Sequence, residues 1–437
     1  MLLSFEFENF RSFKDKTTLS MKATSQRTFN DTLIRSDGLR VLPSAVIYGA
    51  NASGKSNIIM ALGCFQDIVR CGNIYSDILY NLELHPFAHD EKLKPISFAI
   101  EFINNNIHFR YELGILVEKF KHGSRKIIHE NLSFVDKKNS LINLFERKES
   151  EISISNQSQA LSFMEISKDF INDIEDKLNK NLDNTVLFLT SGFKSIISSR
   201  TADTVINFLS DKLFVMENFP LSKSLLSVGK NVPDEDFIFW NKFLDTFVKA
   251  ADFGPQKIYF RHRKSDSEQD NTLQLYSEYK NNDSSSVRIP SILMESRGTL
   301  KLIDFVMLFQ EALANGGTLV VDEFDSALHS EIVKGIISLF ADPELNKNGA
   351  QLIFTTHNPI YLNNKIFRRD QIIFVDKDKT SYRSTLYTLA SFGSEEVRND
   401  ENYLVNYFKG KYSSMPYIDF SSLLQNPEFS EKEDSDN

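Results

Sequence analysis

A chain of 437 residues, 41% hydrophobic and 25% charged, has an ordinary globular composition and exceeds the ~150-residue domain norm, so two lobes or one domain with a large insertion are expected. A formal charge of −9 excludes a globally basic surface, and any nucleic-acid contact must then come from a local patch. Two cysteines, Cys64 and Cys71, exclude a C-x-x-C zinc pair and a disulfide framework. No run of ~18 apolar residues and no leader-like N-terminus is present, so a reduced, cytoplasmic chain without a membrane partner is expected.

Leu2 to Glu8 place Leu3, Phe5 and Phe7 on one side and Ser4, Glu6 and Glu8 on the other, the period of a half-buried strand. A second strand is expected around Lys16–Met21, with Arg11-Ser12-Phe13 in the turn between. Ser44-Ala45-Val46-Ile47-Tyr48 then reads as a buried strand. It runs into Gly49-Ala50-Asn51-Ala52-Ser53-Gly54-Lys55-Ser56-Asn57, which fits G-x-x-x-x-G-K-[ST] without a mismatch. Gly49 and Gly54 permit the tight turn that aims successive amides and the following helix at phosphate oxygens. Lys55 is expected to reach the β- and γ-phosphates of a nucleotide, and the Ser56 hydroxyl to ligate Mg²⁺. The helix extends to about Val69.

Short alternating runs follow, Ile96–Phe102, Ile107–Leu113, Ile127–Val135 and Ser140–Phe145, separated by Asn- and Lys-rich turns, as in an antiparallel meander. Pro86-Phe87 precedes them with no glutamine suitably placed to contact the nucleotide. From Leu161 to Val248 the apolar spacing becomes helical, without a sustained heptad, so a compact helical lobe is expected and a long coiled-coil arm is not. The thirty-seven phenylalanines are scattered and read as core and interface material. Residues 421–437 form an acidic tail, expected to be disordered.

Thr318-Leu319-Val320-Val321-Asp322-Glu323 is an apolar strand ending in two acids: Asp322 suits Mg²⁺ held through water, and Glu323 suits a base that takes a proton from attacking water. Upstream, Glu295-Ser296-Arg297-Gly298-Thr299 opens a helix, so Ser296 and Gly298 form a second anion cradle. Downstream, Gln351–Phe354 leads to Thr355-Thr356-His357-Asn358-Pro359, where a neutral His357 could hold the γ-phosphate and the water.

The order of these segments resembles the ABC-type ATPase head. Asn9-Phe10-Arg11-Ser12-Phe13 is similar to the opening of SMC/RecF-class heads, and that likeness makes Arg11 a candidate nucleotide contact. More narrowly, these motifs with Val321 to His329 and the closing run Arg369 to Asp419 resemble AAA/ABC-type ATP/GTP phosphatases of bacterial abortive-infection and anti-phage systems. The resemblance implies an α/β ABC-type head, a mixed sheet with a P-loop core and an antiparallel β subdomain, with a helical insertion lobe. Its parts would be residues 1–160 and 251–420 as the two halves of the head, 161–250 as the lobe, and 421–437 as the tail. It further implies a homodimer in which ATP on Gly54, Lys55 and Ser56 of one subunit is closed over by Ser296 and Gly298 of the other. Asp325 to His329 would follow the seam, and a separately encoded effector, a toxin, nuclease or reverse transcriptase, would be controlled.

Two alternatives predict different features. A RecF-like repair ATPase would bind duplex DNA through a basic patch such as Arg261-His262-Arg263-Lys264 or Arg368-Arg369. A nuclease of the overcoming-lysogenization type would need a Toprim domain; Asp376-Lys377-Asp378 after the strand Gln371–Val375 is a D-x-D that could bind Mg²⁺, but no earlier strand-end Glu precedes it. About eighty residues follow His357, fewer than the roughly one hundred such a domain requires, so a plain β-turn is expected there.

Overall fold

The chain's architecture follows from how its apolar strands distribute over two faces. In the computed structural model, which describes residues 1–74, 84–89, 93–117, 125–216, 237–251, 254–263, 272–281, 285–326, 328–393, 396–398 and 401–412, the elements run as follows. The chain begins with β1 (Leu2–Glu8), β2 (Thr17–Ser20), β3 (Ile34–Ser36), β4 (Leu39–Val41), β5 (Ser44–Gly49) and α1 (Lys55–Cys71). Next come β6 (Ile96–Asn104), β7 (Ile107–Val117), β8 (Arg125–Val135), β9 (Leu141–Lys148) and β10 (Glu151–Ile154). Then follow α2 (Ser158–Met164), α3 (Ile171–Lys180), α4 (Ser199–Asn207), β11 (Leu213–Met216), β12 (Phe237–Trp240), α5 (Lys242–Ala250), β13 (Lys257–Arg263), β14 (Thr272–Lys280) and β15 (Ser286–Pro290). The C-terminal part comprises α6 (Ser291–Met294), α7 (Arg297–Asn315), β16 (Thr318–Val321), α8 (Ser330–Ala341), β17 (Gln351–Thr355), β18 (Ile372–Lys377), β19 (Ser384–Thr388) and α9 (Tyr403–Phe408).

The central six-stranded sheet has the order β11-β16-β17-β5-β18-β19, parallel except for β19. Both of its faces are covered, which is why β5, β16 and β17 read as unbroken apolar runs. Ala45 and Ile47 of β5 face one hydrophobic core, while Val46 and Tyr48 face the other. The first core lies against α1 and a seven-stranded antiparallel sheet, β10-β9-β8-β7-β6-β1-β2, which contains the expected meander joined to the N-terminal hairpin. Buried Gln351 ties the two sheets: its carbonyl accepts from the Leu2 amide at 2.6 Å and its amide donates to the Leu2 carbonyl at 2.9 Å. The second core is formed with α5, α7 and α8 and with the four-stranded sheet β12-β13-β14-β15.

The helical stretch after Leu161 differs from the expected lobe. Its helices lie on the seven-stranded sheet and share its core, with Phe208 stacked on Phe102 and Phe163 on Phe134, both at 4.2 Å between centroids. Leu213–Met216 then leaves the helical run and pairs in parallel with β16, and α5 packs into the opposite core. The helical period was legible, but which surface completes an amphipathic face depends on distant residues. A four-residue apolar strand is also too short to separate from a helix turn by periodicity. The acidic tail, the closing motif beyond Tyr412, Ala327 and Lys264 lie outside the described residues. Among the described residues no helix is long and apolar enough to cross a membrane.

Candidate active site

Strands β5, β17 and β16 are adjacent and parallel, so the loops at their carboxyl ends share one edge of the sheet, where open α/β sheets bind ligands. The loop after β5 turns on its two glycines. A Cβ at Gly49 would stand 2.5 Å from both the Ser53 hydroxyl and the Val375 carbonyl. Gly54, with φ +113°, occupies a conformation that L residues rarely adopt, and a Cβ there would meet Ser384 and Ser12 hydroxyls at 2.7 and 2.8 Å. Between them Ala50, Asn51, Ala52 and Ser53 make the cradle. The Ser53 hydroxyl is buried without a hydrogen-bond partner among the described residues, a donor available to a phosphate oxygen. Lys55 opens α1, is 5% exposed, and its ammonium donates to the Gly49 and Ala50 carbonyls at 2.9 and 3.0 Å. Burial lowers its pKa to about 8 against the pull of Asp322 and Glu323. Ser56 lies half-buried in the same first turn. Asn57 donates to the Ser12 hydroxyl at 2.8 Å.

The N-terminal turn therefore braces the cradle through Ser12. The Ser12 hydroxyl in turn donates to the Ser384 hydroxyl at 2.8 Å, and Ser384 donates to the Ser53 carbonyl at 2.5 Å. Arg11, at φ +52°, sits in this turn with its guanidinium 5.7 Å from the Phe10 ring centroid and its amide bonded to the His85 carbonyl. The sequence offered no signal for Ser12 beyond its place in the motif.

Asp322 follows β16, and Glu323 takes φ +46° immediately after it. One residue organises both: the Thr355 hydroxyl contacts the Asp322 carboxylate and accepts the Glu323 amide at 2.7 Å. His357 stands two residues beyond Thr355, its Nε2 3.9 Å from the Glu323 carboxylate. Its pKa is lowered, first by burial and then by the Lys55 ammonium, so the ring is neutral at pH 7. Lys55, Asp322, Glu323 and His357 thus converge. Among the described residues no group of three or more His, Cys, Asp or Glu is placed to hold a metal by itself.

Ser296 and Gly298 sit at the N-terminal end of α7, Ser296 exposed and Gly298 buried. Ser296 caps α7, its hydroxyl accepting the Thr299 amide at 3.1 Å. No hydrogen bond or ion pair joins Ser296 or Gly298 to the cradle among the described residues. Ser296 and Arg297 face solvent, beside exposed Ile292, Leu293 and Met294.

Lys301, five residues along α7, was not visible as functional in the sequence. Its ammonium donates to the Glu323 carbonyl at 2.9 Å and the Ser326 carbonyl at 3.1 Å, and contacts the Ser326 hydroxyl. It ties the helix that starts at Ser296 to the loop carrying Glu323. Removing bonds worth about 1–2 kcal/mol each, Lys301→Met is expected to lower kcat by about 10–100-fold with little change in ATP affinity. Lys301→Arg should recover part of the loss, and an unchanged kcat in the methionine variant would contradict the role.

Asp376 and Asp378 both serve the β18–β19 connection. Asp378 closes the β18–β19 turn by accepting the Thr380 and Ser381 amides at 3.2 and 2.6 Å, and Asp376 accepts the Lys377 amide. Arg368 and Arg369 are buried, so they present no basic patch; Arg368 pairs with Asp370 at 2.8 Å.

A phosphate cradle on a doubly covered parallel sheet, with an acidic strand end and an antiparallel β subdomain, defines an ABC-type ATPase head. A family model described as "AAA domain, putative AbiEii toxin, Type IV TA system" matches residues 44–363, and the chain belongs to that family of AAA/ABC-type ATPases related to abortive-infection systems. No protein of curated function matches. Among solved structures, an SMC head bound to the C-winged helix domain of ScpA is similar, at 14% identity, TM-score 0.41, and 89% and 97% coverage of this chain and that one. The SMC head domain from Thermotoga maritima gives 14%, 0.37, 89% and 98%. An SMC head with an extended coiled coil bound to the C-terminal domain of ScpA, from Pyrococcus furiosus, gives 14%, 0.42, 89% and 96%.

Proposed function

We propose that this protein hydrolyses ATP between two copies of itself and uses the resulting assembly as a switch for a separately encoded effector in defence against phage. The observation that carries the reading is the split of the machinery. Lys55, Asp322, Glu323 and His357 meet on one sheet edge, while Ser296 is exposed beside Ile292, Leu293 and Met294, with no hydrogen bond or ion pair to that group among the described residues. One copy leaves the γ-phosphate open on one side, and a second copy's α7 N-terminus supplies the missing donors.

In this reading the amides from Gly49 to Asn57 and the Lys55 ammonium bind the phosphates. Mg²⁺, held by Ser56 and Asp322, would supply charge neutralisation on the β- and γ-oxygens. Glu323 accepts the proton of the attacking water, and neutral His357 orients that water and the phosphate. Arg11 borders the site from the N-terminal turn. Hydrolysis then removes the contacts that hold the copies together, and the effector reads that change. The family's link to toxin–antitoxin systems supports an effector partner; candidates are a toxin, a nuclease or a reverse transcriptase.

The test is complementation between two inactive variants. Lys55→Ala lacks the cradle cation and Ser296→Arg blocks the second cradle, but a mixed dimer retains one whole site. Equal mixing is expected to restore about a quarter of native turnover, since random pairing gives half mixed dimers with one working site each. A mixture as inactive as its components would overturn the shared site.

A further inference from the structure

Near the phosphate cradle, an exposed tyrosine stands in a cluster of aromatic and basic side chains that the hydrolytic reading does not use. Tyr382, 51% exposed, sits at φ +56° in the β18–β19 turn, its amide bonded to the Asp378 carbonyl at 2.9 Å. His89 backs the ring, with centroids 5.0 Å apart and planes 16° from parallel, and Phe87 lies 5.6 Å from His89. The Lys377 ammonium stands 6.0 Å from the ring centroid, on a flexible side chain that a flat ring can displace.

The cluster is fixed to the cradle from two directions. Ser384, two residues or about 7 Å of extended chain from Tyr382, donates through its hydroxyl to the Ser53 carbonyl and through its amide to the Ser12 carbonyl at 2.8 Å. On the other side, the Arg11 amide donates to the His85 carbonyl at 2.8 Å and the Asn9 side chain accepts the Phe87 amide at 3.0 Å, which sets the segment carrying His89. Three chain segments distant in sequence thus place a stacked aromatic pair at the side of the loop where α1 begins. On the reading of the loop as a phosphate cradle, a nucleotide whose phosphates follow the loop into α1 would extend its base toward this side.

We propose that Tyr382, backed by His89, is the platform on which the base of the nucleotide stacks, and that it favours purines. The proposal rests on the reading of Gly49 to Ser56 as a phosphate cradle. A face of this size and polarisability recognises any flat heteroaromatic ring, and the larger purine overlaps it more fully than a pyrimidine. The positively charged neighbour adds attraction for an electron-rich base.

Isothermal titration of the whole protein with ATP, CTP and inorganic tripolyphosphate separates the two readings. Tyr382→Asn removes the ring while suiting the left-handed backbone, and Tyr382→Phe keeps the ring. The asparagine variant is expected to bind ATP about tenfold or more weakly, to lose most of the preference for ATP over CTP, and to bind tripolyphosphate as the native protein does. The phenylalanine variant should behave as native. Unchanged ATP affinity in Tyr382→Asn, or an equal loss for ATP and tripolyphosphate, would overturn the base platform while leaving the cradle standing. Failure of the native protein to bind tripolyphosphate or ATP would overturn both.

Discussion

Replacing Lys55 by alanine is expected to weaken ATP binding by about 10–100-fold, since a charge-assisted bond to phosphate is worth about 1.5–3 kcal/mol. The geometry explains the size. Lys55 is buried, held against two loop carbonyls, and its pKa has fallen to about 8, so its charge is poorly solvated before the ligand arrives. A phosphate supplies the counter-charge that solvent cannot. The sign of the pH effect follows: the ammonium is the binding form, and raising pH from 7 to 9 passes through a pKa of about 8, so native affinity should fall over that range. Lys55→Ala should lack that fall. Titration of both proteins at pH 7 and 9 checks it, and native-like ATP binding by the variant would remove Lys55 from the phosphate site.

Glu323→Gln is expected to lower turnover by about 10²–10⁴-fold, the range for a positioned general base, while leaving ATP affinity close to native. Glutamine keeps the shape, the φ of +46° and the backbone bonds to Thr355 and Lys301, and loses only the capacity to take a proton. Single-turnover release of phosphate measures the loss. A glutamine variant hydrolysing at the native rate would assign the base elsewhere.

What the sequence disclosed, and what it hid, divides by range. The strand into Gly49–Ser56 and the acids after Val321 are local patterns, written in a few consecutive residues whose types the backbone geometry dictates. The β18–β19 turn was legible for the same reason, because an Asp side chain closing its own turn is a local event. Ser12, Thr355 and Lys301 were not, since each acts on atoms far away in sequence: Ser12 on Asn57 and Ser384, Lys301 on Glu323 and Ser326. Lys301 in particular falls on a helix where a lysine is an unremarkable solubilising residue until the fold buries it. Where the helices after Leu161 pack was not legible, because their phenylalanines stack on a meander folded from residues upstream. The parallel pairing of Leu213–Met216 with β16 required a partner about a hundred residues on, which no local period announces.

Sedimentation equilibrium of Glu323→Gln, with and without ATP and Mg²⁺, puts the composite site to the most direct trial. A monomer that becomes a stable dimer only when both are present is the expected result, because the bound triphosphate bridges one copy's cradle and the other's Ser296. A variant that binds ATP yet keeps the same mass under both conditions would contradict the account.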